Sequence, residues 1–104
     1  MRVMVSFRFP TPSGNEALKS GKIGKVLPQI MEELKPEAAY FYPSSGGMRS
    51  GHFIIQIEDG QQVLEVGERL WFGLGGEVEM TPVMTPEDIQ KGLASIPGIA
   101  AKFG

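Results

Sequence analysis

The first ten residues, MRVMVSFRFP, carry the pattern that most constrains the fold. Apolar and polar side chains alternate from residue 2 to residue 9, and this period of two, rich in β-branched and aromatic residues, predicts a β-strand. The residues on its apolar side are Val3, Val5, Phe7 and Phe9. A strand with one such side belongs to a sheet that packs against a second layer, so the chain needs helices or another sheet to cover it.

Further strand and helix patterns follow along the chain. Strands are predicted over residues 37–42, 51–58 and 76–84, and a helix is predicted over residues 61–74. Helical spacing also runs through residues 21–36, where Pro28 leaves two options: the helix begins near Val26 or Leu27, or it continues through Pro28 with a kink. Upstream, residues 13–21 predict at most one short helical turn.

The C-terminal residues predict a helical extension after the last strand. Thr85, Pro86 and Asp88 resemble a capped helix start with proline at the first helical position. The helix is expected to reach about residue 94, to break at Pro97 and Gly98, and to resume over residues 99–103. Val63, Val66, Leu70 and Leu74 are expected on one face of the preceding helix, at residues 61–74.

The resulting order, β-α-β-β-α-β plus an extension, predicts a ferredoxin-like α+β fold with a four-stranded antiparallel sheet. Right-handed crossovers place strands 1 and 3 in the centre, with strand 4 beside strand 1 and strand 2 beside strand 3. The 104 residues fit a single domain spanning 1–104. A chain this short often gains stability by pairing with a copy of itself.

Composition narrows the classes of function. The net charge of −2 disfavours nucleic-acid binding and, more weakly, docking on anionic membranes. With no cysteine there is no disulfide, no thiolate metal site and no cysteine nucleophile. No apolar run approaches the roughly 18 residues of a membrane span. We therefore expect a cytoplasmic protein without nucleic-acid or membrane partners.

The second face of the predicted sheet has a mixed composition. Strand 1 offers Met4 and Ser6 between two arginines, and strand 3 offers His52, Ile54 and Gln56. A solvent-exposed face would carry more lysine and glutamate, whereas a core would lack these polar groups. A half-apolar face with a few polar groups is typical of a dimer interface that encloses a cavity.

The strand order, the length and the segment LWFGLGGEVEMTPVM resemble the dimeric α/β-barrel superfamily, and this segment is similar to the last helix and strand of muconolactone-isomerase-type proteins. The phrases PEAAYF, PVMTPEDI and PQIMEELKPE resemble small uncharacterised bacterial proteins of that superfamily more closely. The resemblance covers roughly residues 2–90. It implies a dimeric barrel of two ferredoxin-like protomers packed sheet to sheet, with ligand pockets inside the barrel or between sheet and helices.

Members of that superfamily include isomerases, cofactor-free monooxygenases, haem-degrading enzymes, dehalogenase-like decarboxylases and proteins without known activity. The fold alone therefore does not assign a function. The expected partners are a second copy of the chain, in a homodimer or a higher oligomer, and a small-molecule ligand. No cofactor is expected, and one histidine with scattered carboxylates gives no metal signature.

In this topology several polar side chains are expected at one end of the sheet. They are Arg8, His52, Tyr40, Tyr42 and Glu79, with the loop of residues 44–51 and its Arg49 over the same end. A histidine can serve as acid and base, an arginine can hold a carboxylate, and a tyrosine hydroxyl can donate a proton. His52 and Arg8 are the catalytic candidates, and the others are candidates for binding the substrate.

Trp71 and Phe72 are expected to form an apolar wall of that pocket. The cluster fits a cofactor-independent isomerase or monooxygenase that acts on a small unsaturated or aromatic acid. The ordinary structural alternatives are cross-strand ion pairs, of Arg8 with Glu77 or Glu79 and of Arg2 with Glu58, and helix-end anchoring by the two aromatics. The functional alternatives are a binding module without catalysis and a dimerisation domain with a filled barrel.

Overall fold

The computed structural model describes residues 1–44 and 46–104. Over these residues the chain forms four strands and five helices in an α+β arrangement. The elements are β1 (Arg2–Phe9), α1 (Thr11–Lys19), α2 (Lys22–Leu34), β2 (Ala38–Pro43), β3 (Arg49–Gln56), α3 (Gly60–Leu74), β4 (Glu77–Pro82), α4 (Pro86–Leu93) and α5 (Ile96–Phe103). The predicted strands are confirmed, with ends shifted by at most two residues.

The four strands form one antiparallel sheet in the order β2-β3-β1-β4, as the crossover rule predicts. At the centre of the sheet Val5 of β1 lies opposite Phe53 of β3 on one side and Met80 of β4 on the other. This register places odd-numbered residues of β1 and β3 on one face and even-numbered residues on the other. The fold is ferredoxin-like, with two helices between β1 and β2.

Helices α2 and α3 cover the odd-numbered face and form the core with it. The side chains of Val5, Phe53 and Leu70 are completely buried. The remaining buried residues of this core are Val3, Phe7, Phe9, Ile30, Ile55, Ile57, Val66 and Leu74. Burying one such side chain contributes about 1.5–3 kcal/mol, so this face provides most of the stability of the fold.

Gly51 allows β2, β3 and the core to pack closely. A Cβ atom at this position would lie 2.7 Å from Cζ of Phe7 and 2.9 Å from the carbonyl oxygen of Tyr40. Real Cβ atoms do not approach other atoms so closely, so a side chain would force apart the strand pair and the Phe7 ring. The glycine therefore fits a place where another backbone and an aromatic ring both come close.

The helices before β2 differ from the prediction in two ways. A complete helix, α1, occupies the region where only a short turn was expected, and Pro12 lies in its first turn, where proline is tolerated. Helix α2 begins at Lys22 and passes through Pro28, so a start near Val26 or Leu27 is wrong. Gly24, whose carbonyl group loses its bond to Pro28, is exposed to water.

Helix α3 buries Val66, Leu70 and Leu74 as predicted. Val63, expected on the same face, is 41% exposed because it lies in the first turn of α3 at the edge strand β4, outside the core. Asp59 caps the start of the helix, and Gly75 ends it in a left-handed conformation. This conformation suits glycine because glycine lacks a Cβ atom.

The capped start of α4 is confirmed. The Thr85 hydroxyl accepts a hydrogen bond from the Asp88 backbone N–H, and the Asp88 carboxylate accepts one from the Thr85 N–H. Hydrogen bonding of the Asp88 carboxylate to the backbone N–H of Thr85, and then to its side chain, lowers the pKa of Asp88 from its ordinary 3.8. The predicted break at Pro97 and Gly98 is wrong, because α5 begins at Ile96 and takes Pro97 into its first turn.

Candidate functional site

The face of the sheet opposite the helices, called the open face here, carries the even-numbered residues of β1 and β3 and their neighbours. Its side chains belong to Arg2, Met4, Ser6, Arg8, Ala38, Tyr40, Tyr42, Ser50, His52, Ile54, Gln56, Glu77, Glu79 and Thr81. Two adjacent rows run across all four strands at one end of this face. One row is Tyr40, His52, Ser6 and Glu79, and the other is Tyr42, Ser50, Arg8 and Glu77.

A polar contact within these two rows joins Tyr42 and His52. The tyrosine hydroxyl lies 3.0 Å from Nδ1 of the histidine ring, a hydrogen-bond distance. Tyr40 pairs with His52 across the two strands, and its ring lies 5.6 Å from the imidazole, centroid to centroid. In the tautomer in which Tyr42 donates to Nδ1, Nε2 carries the ring proton. The sequence predicted these residues at one end, and the structure brings them together.

Arg8 forms the cross-strand ion pair that the sequence predicted with Glu77 or Glu79. Its Nε atom lies 3.3 Å from a carboxylate oxygen of Glu77, and about half of each side chain is exposed. Exposed pairs of this kind contribute at most about 1 kcal/mol to stability. The contact uses Nε and leaves both terminal nitrogens of the fork outside the pair. Glu79 lies on the same face, opposite Ser6.

A depression of about 350 Å³ lies between the ion pair and Tyr42. Its side-chain lining on the open face is formed by Ser6, Arg8, Tyr42, Ser50, Glu77 and Glu79. Two carboxylates and one guanidinium give this end of the face a negative balance. Sequence reasoning missed the two serines, although their positions on the polar sides of β1 and β3 place them here once the register is known.

Arg49 does not join this cluster. Because it pairs with Phe9 in the sheet, it lies on the helix-covered side, where its Nη1 atom donates to Oδ1 of Asn15 at 2.9 Å. It thereby links the start of β3 to α1. The predicted loop over the site, residues 44–51, includes Ser45, which lies outside the described residues.

Trp71 and Phe72 also lie on the helix-covered side. The indole of Trp71 packs over Gly67 of its own helix, so that a Cβ atom there would be 2.8 Å from the ring. Trp71 is 44% exposed and Phe72 is 82% exposed. Within one protomer the sheet therefore separates the predicted apolar wall from Arg8 and His52. The sequence pattern in the last turn of α3 did not determine which face of the sheet this helix covers.

Trp71 lines a different surface, called the α3–β4 groove here. Its lining is formed by Gly60, Val63, Leu64, Trp71, Val78 and Met80. The volume of this groove is about 380 Å³, and its lining has no charged side chain. The groove exists because α3 lies over the central strands and leaves the helix side of the edge strand β4 partly uncovered.

The predicted pair of Arg2 with Glu58 is wrong. Strand β3 ends at Gln56, so the chain turns before Glu58, and Arg2 instead hydrogen-bonds to Glu37 at the start of β2. That hydrogen bond, together with the charge of Glu37, raises the pKa of Arg2. This pair belongs to the end of the sheet away from His52.

Within the described residues no group of three or more histidine, aspartate or glutamate side chains is arranged to hold a metal ion. The helices described here are all too short or too polar to cross a bilayer.

No protein-family model and no curated protein matches this chain. Among solved structures the chain is similar to the de novo designed protein Ferredog-Diesel, with 18% sequence identity and a TM-score of 0.42. The similarity covers 79% of this chain and 85% of the designed protein. These comparisons give no link to muconolactone isomerases, so that resemblance stays a prediction.

Proposed function

We propose that the protein is a homodimer that binds a small unsaturated or aromatic acid on the open face and isomerises it without a cofactor. The observation that carries the proposal is the hydrogen bond of 3.0 Å between the Tyr42 hydroxyl and His52 Nδ1. It lies on a face that no helix of the described chain covers. A proton-transfer pair beside a polar depression favours an isomerase over a monooxygenase, because a proton shift needs only such groups.

The chemistry follows from the position of the pair. Imidazole can accept and release a proton near neutral pH. Nε2 of His52, in the tautomer without its proton, would remove a proton from the carbon next to the double bond of the substrate. The imidazolium exchanges its proton with water and protonates a carbon further along, which moves the double bond and regenerates the imidazole. Tyr42 would hold the ring in position and hydrogen-bond to Nδ1 throughout.

Arg8 is the proposed anchor for the carboxylate of the substrate. Glu77 contacts only Nε, so the terminal nitrogens can form a two-point contact with an anion. The two glutamates at this end oppose an anionic ligand, and closing the site from water would strengthen this repulsion as well as the attraction to Arg8, so the two-point contact with Arg8 must outweigh the glutamates. Tyr40 and Glu79 are proposed to line the site.

A second copy of the chain would supply that closure. The middle row of the open face contains Ala38, Ile54, Met4 and Thr81, which makes it the least polar part of the face. Sheet-to-sheet packing would bury this row and leave the charged rows at the edges, an arrangement typical of protein interfaces. Such a dimer would enclose the depression between two sheets.

Proton exchange into solvent tests the proposed reaction. The full chain is incubated in D2O with a panel of small unsaturated and aromatic acids, and deuterium at carbon is followed by NMR. We expect exchange with at least one acid and a fall of about 10²–10⁴-fold in His52→Ala, the usual contribution of an acid–base group.

Tyr42→Phe and Tyr40→Phe form a matched pair for this assay. Both tyrosines lie beside His52, but only Tyr42 hydrogen-bonds to it. We expect a clear loss of exchange in Tyr42→Phe and little change in Tyr40→Phe. If no acid exchanges, or if His52→Ala exchanges as fast as the wild type, the proposed reaction is wrong.

The second candidate is a binding or dimerisation module without catalysis. The ion pair between Arg8 and Glu77 favours it, because a guanidinium that already has a carboxylate partner in the same protein needs no ligand. Glu77→Gln separates a dimerisation module from a protein that binds a ligand, and the exchange assay separates an enzyme from a binding module without catalysis. If Arg8 anchors a substrate, removal of the competing charge should tighten the binding of a small carboxylate; a structural pair predicts no binding in either form.

A further inference from the structure

The last two helices form a segment, called the C-terminal arm here, that spans residues 86–104. Every residue of the arm is exposed. Its large apolar side chains are Ile89, Leu93, Ile96, Ile99 and Phe103, and the least exposed of them has 49% of its surface in contact with solvent. Their spacing of three and four residues is that of one helical stripe. Such a stripe indicates a surface that packs against something else.

Hydrogen bonds hold the N-terminal end of the arm in place. The backbone N–H of Val83 donates to the carbonyl of Arg2 at 3.1 Å, which extends the sheet ladder past β4. The mutual cap of Thr85 and Asp88 then sets the start of α4. Only residues 83–85 join β4 to α4, so these contacts direct the arm away from its own sheet.

The dimensions of the molecule show how much surface the arm leaves without a partner. The molecule extends 57 Å along its longest axis, and its solvent-accessible area is 7093 Å². A compact protein of this mass exposes about 5,700 Å². The excess of roughly 1,400 Å² is larger than the ~800 Å² that each partner buries in a standard interface.

The α3–β4 groove is the surface that matches the arm. Its lining is apolar, it lies on the edge strand, and no residue of the arm lines it in the same chain. Beyond its capped start, which holds Glu87 and Asp88, the arm contains Lys91 and Lys102 and no acidic residue, whereas α3 contains Glu65 and Glu68 with Arg69. Glu68 lies one helical turn from both Leu64 and Trp71 of the groove.

We propose that the C-terminal arm of one chain docks in the α3–β4 groove of a second copy of the chain. The stripe that contains Ile89 and Ile99 would pack against Leu64, Trp71 and Met80, and the lysines would lie on the side of the groove where α3 carries Glu68. The groove lies on the helix side of the sheet, opposite Tyr42 and His52. The proposal therefore does not rest on the proposed isomerase, and each can fail without the other.

Trp71 provides the readout, because it is the only tryptophan and is 44% exposed in the single chain. Its emission wavelength and its quenching by acrylamide are measured against protein concentration, alongside sedimentation velocity. As dimers form, we expect the emission to shift to shorter wavelength and the quenching constant to fall at least twofold.

Two variants test the two surfaces in the full chain. Ile99→Glu alters the arm and Leu64→Glu alters the groove, and both positions are exposed and outside the core. Each variant alone should lose the assembly that protects Trp71, with an accessible Trp71 and an unchanged circular dichroism spectrum, whether or not it pairs through the open face. A mixture should recover protection of Trp71, because one intact arm then meets one intact groove. Gln90→Glu adds the same charge away from the stripe and should behave as the wild type.

Three results would overturn the proposal. The first is a monomer whose Trp71 is protected at every concentration, which would mean that the arm folds onto its own groove. The second is a dimer whose Trp71 stays quenchable and whose assembly is unaffected by Ile99→Glu. The third is a monomer with an accessible Trp71 that binds phosphatidylcholine vesicles through the arm.

Discussion

The two faces of the sheet are built from alternate residues of the same strands, yet their surroundings differ completely. On β3, Phe53 is completely buried beneath the helices, while its neighbour Ile54 lies on the open face and is half-buried. On β1, Val5 is likewise buried, and Ser6 faces the polar side. The alternation thus separates two tasks: one face stabilises the fold, and the other is free to carry polar groups that contribute little to stability.

The largest effect should come from comparing those neighbours on β3. Phe53→Ala leaves a cavity among the core residues and should lower the free energy of unfolding by about 3–5 kcal/mol. Ile54→Ala should cost about 1 kcal/mol at low protein concentration, because its side chain is already partly exposed. Chemical denaturation with urea measures both. Equal losses would show that the open face is covered within the single chain.

The same pair of variants tests the proposed dimer when they are compared at increasing protein concentration. If a second sheet covers the open face, the cost of Ile54→Ala should grow with concentration, since Ile54 is buried only in the dimer. The cost of Phe53→Ala should not depend on assembly in this way. A constant cost for Ile54→Ala in a dimeric sample would place the interface elsewhere.

An intermediate effect is expected at Gly51, where the two faces meet through the backbone. Gly51→Ala should cost about 1–3 kcal/mol, because the added Cβ atom would collide with Phe7 and with the Tyr40 carbonyl. The matched control is Gly46→Ala, for which the nearest side-chain atom would be 3.5 Å away. Thermal unfolding compares the two. A melting temperature unchanged in Gly51→Ala would contradict the close packing of β2 against β3.

A smaller effect is expected for the ion pair on the open face. Glu77→Gln should change the free energy of unfolding by less than about 1 kcal/mol, because both partners are half exposed and water screens them. Urea denaturation at low and high salt measures this contribution. A loss comparable to that of Phe53→Ala would show that the pair is buried in the protein as it exists in solution.

The smallest effect lies outside both faces, at the cap of α4. The hydrogen bonds from Thr85 hold the pKa of Asp88 below its ordinary 3.8. The cap is therefore fully present above pH 3.8 and is lost as the pH falls through the lower pKa of the folded chain. An NMR titration of the Asp88 carboxyl carbon should show this low pKa. In Thr85→Ala it should move back toward 3.8, whereas Thr81→Ala should leave it unchanged.

Much of the fold was predictable because local patterns and topology agree. Alternation identified the strand at residues 2–9, and the right-handed crossover rule gave the strand order. The capping pattern at Thr85 and Asp88 gave the start of α4. Proline predicted the helix ends less well, because Pro12, Pro28 and Pro97 all lie inside helices, two of them in first turns.

The site was predictable only in part. The sheet face on which a side chain lies, and the groups that it contacts, depend on tertiary packing. The register brings Tyr42 to His52 and Arg8 to Glu77, as the inferred topology suggested. Arg49, however, falls on the helix side because β3 begins at this residue rather than after it. The direction of the Trp71 side chain depends on how α3 is rotated about its own axis, and the sequence pattern near the helix end does not determine that rotation.

NMR shift mapping shows whether the open face binds a small acid at Tyr42 and His52, as proposed. Backbone amide and histidine ring signals of the full chain are followed while each acid that supports proton exchange is added, with Tyr42→Phe as the comparison. Binding at the open face should produce shifts at His52, Ser6 and Arg8 that weaken in Tyr42→Phe, with no change around Trp71. Shifts confined to the α3–β4 groove, or identical shifts in both proteins, would contradict it.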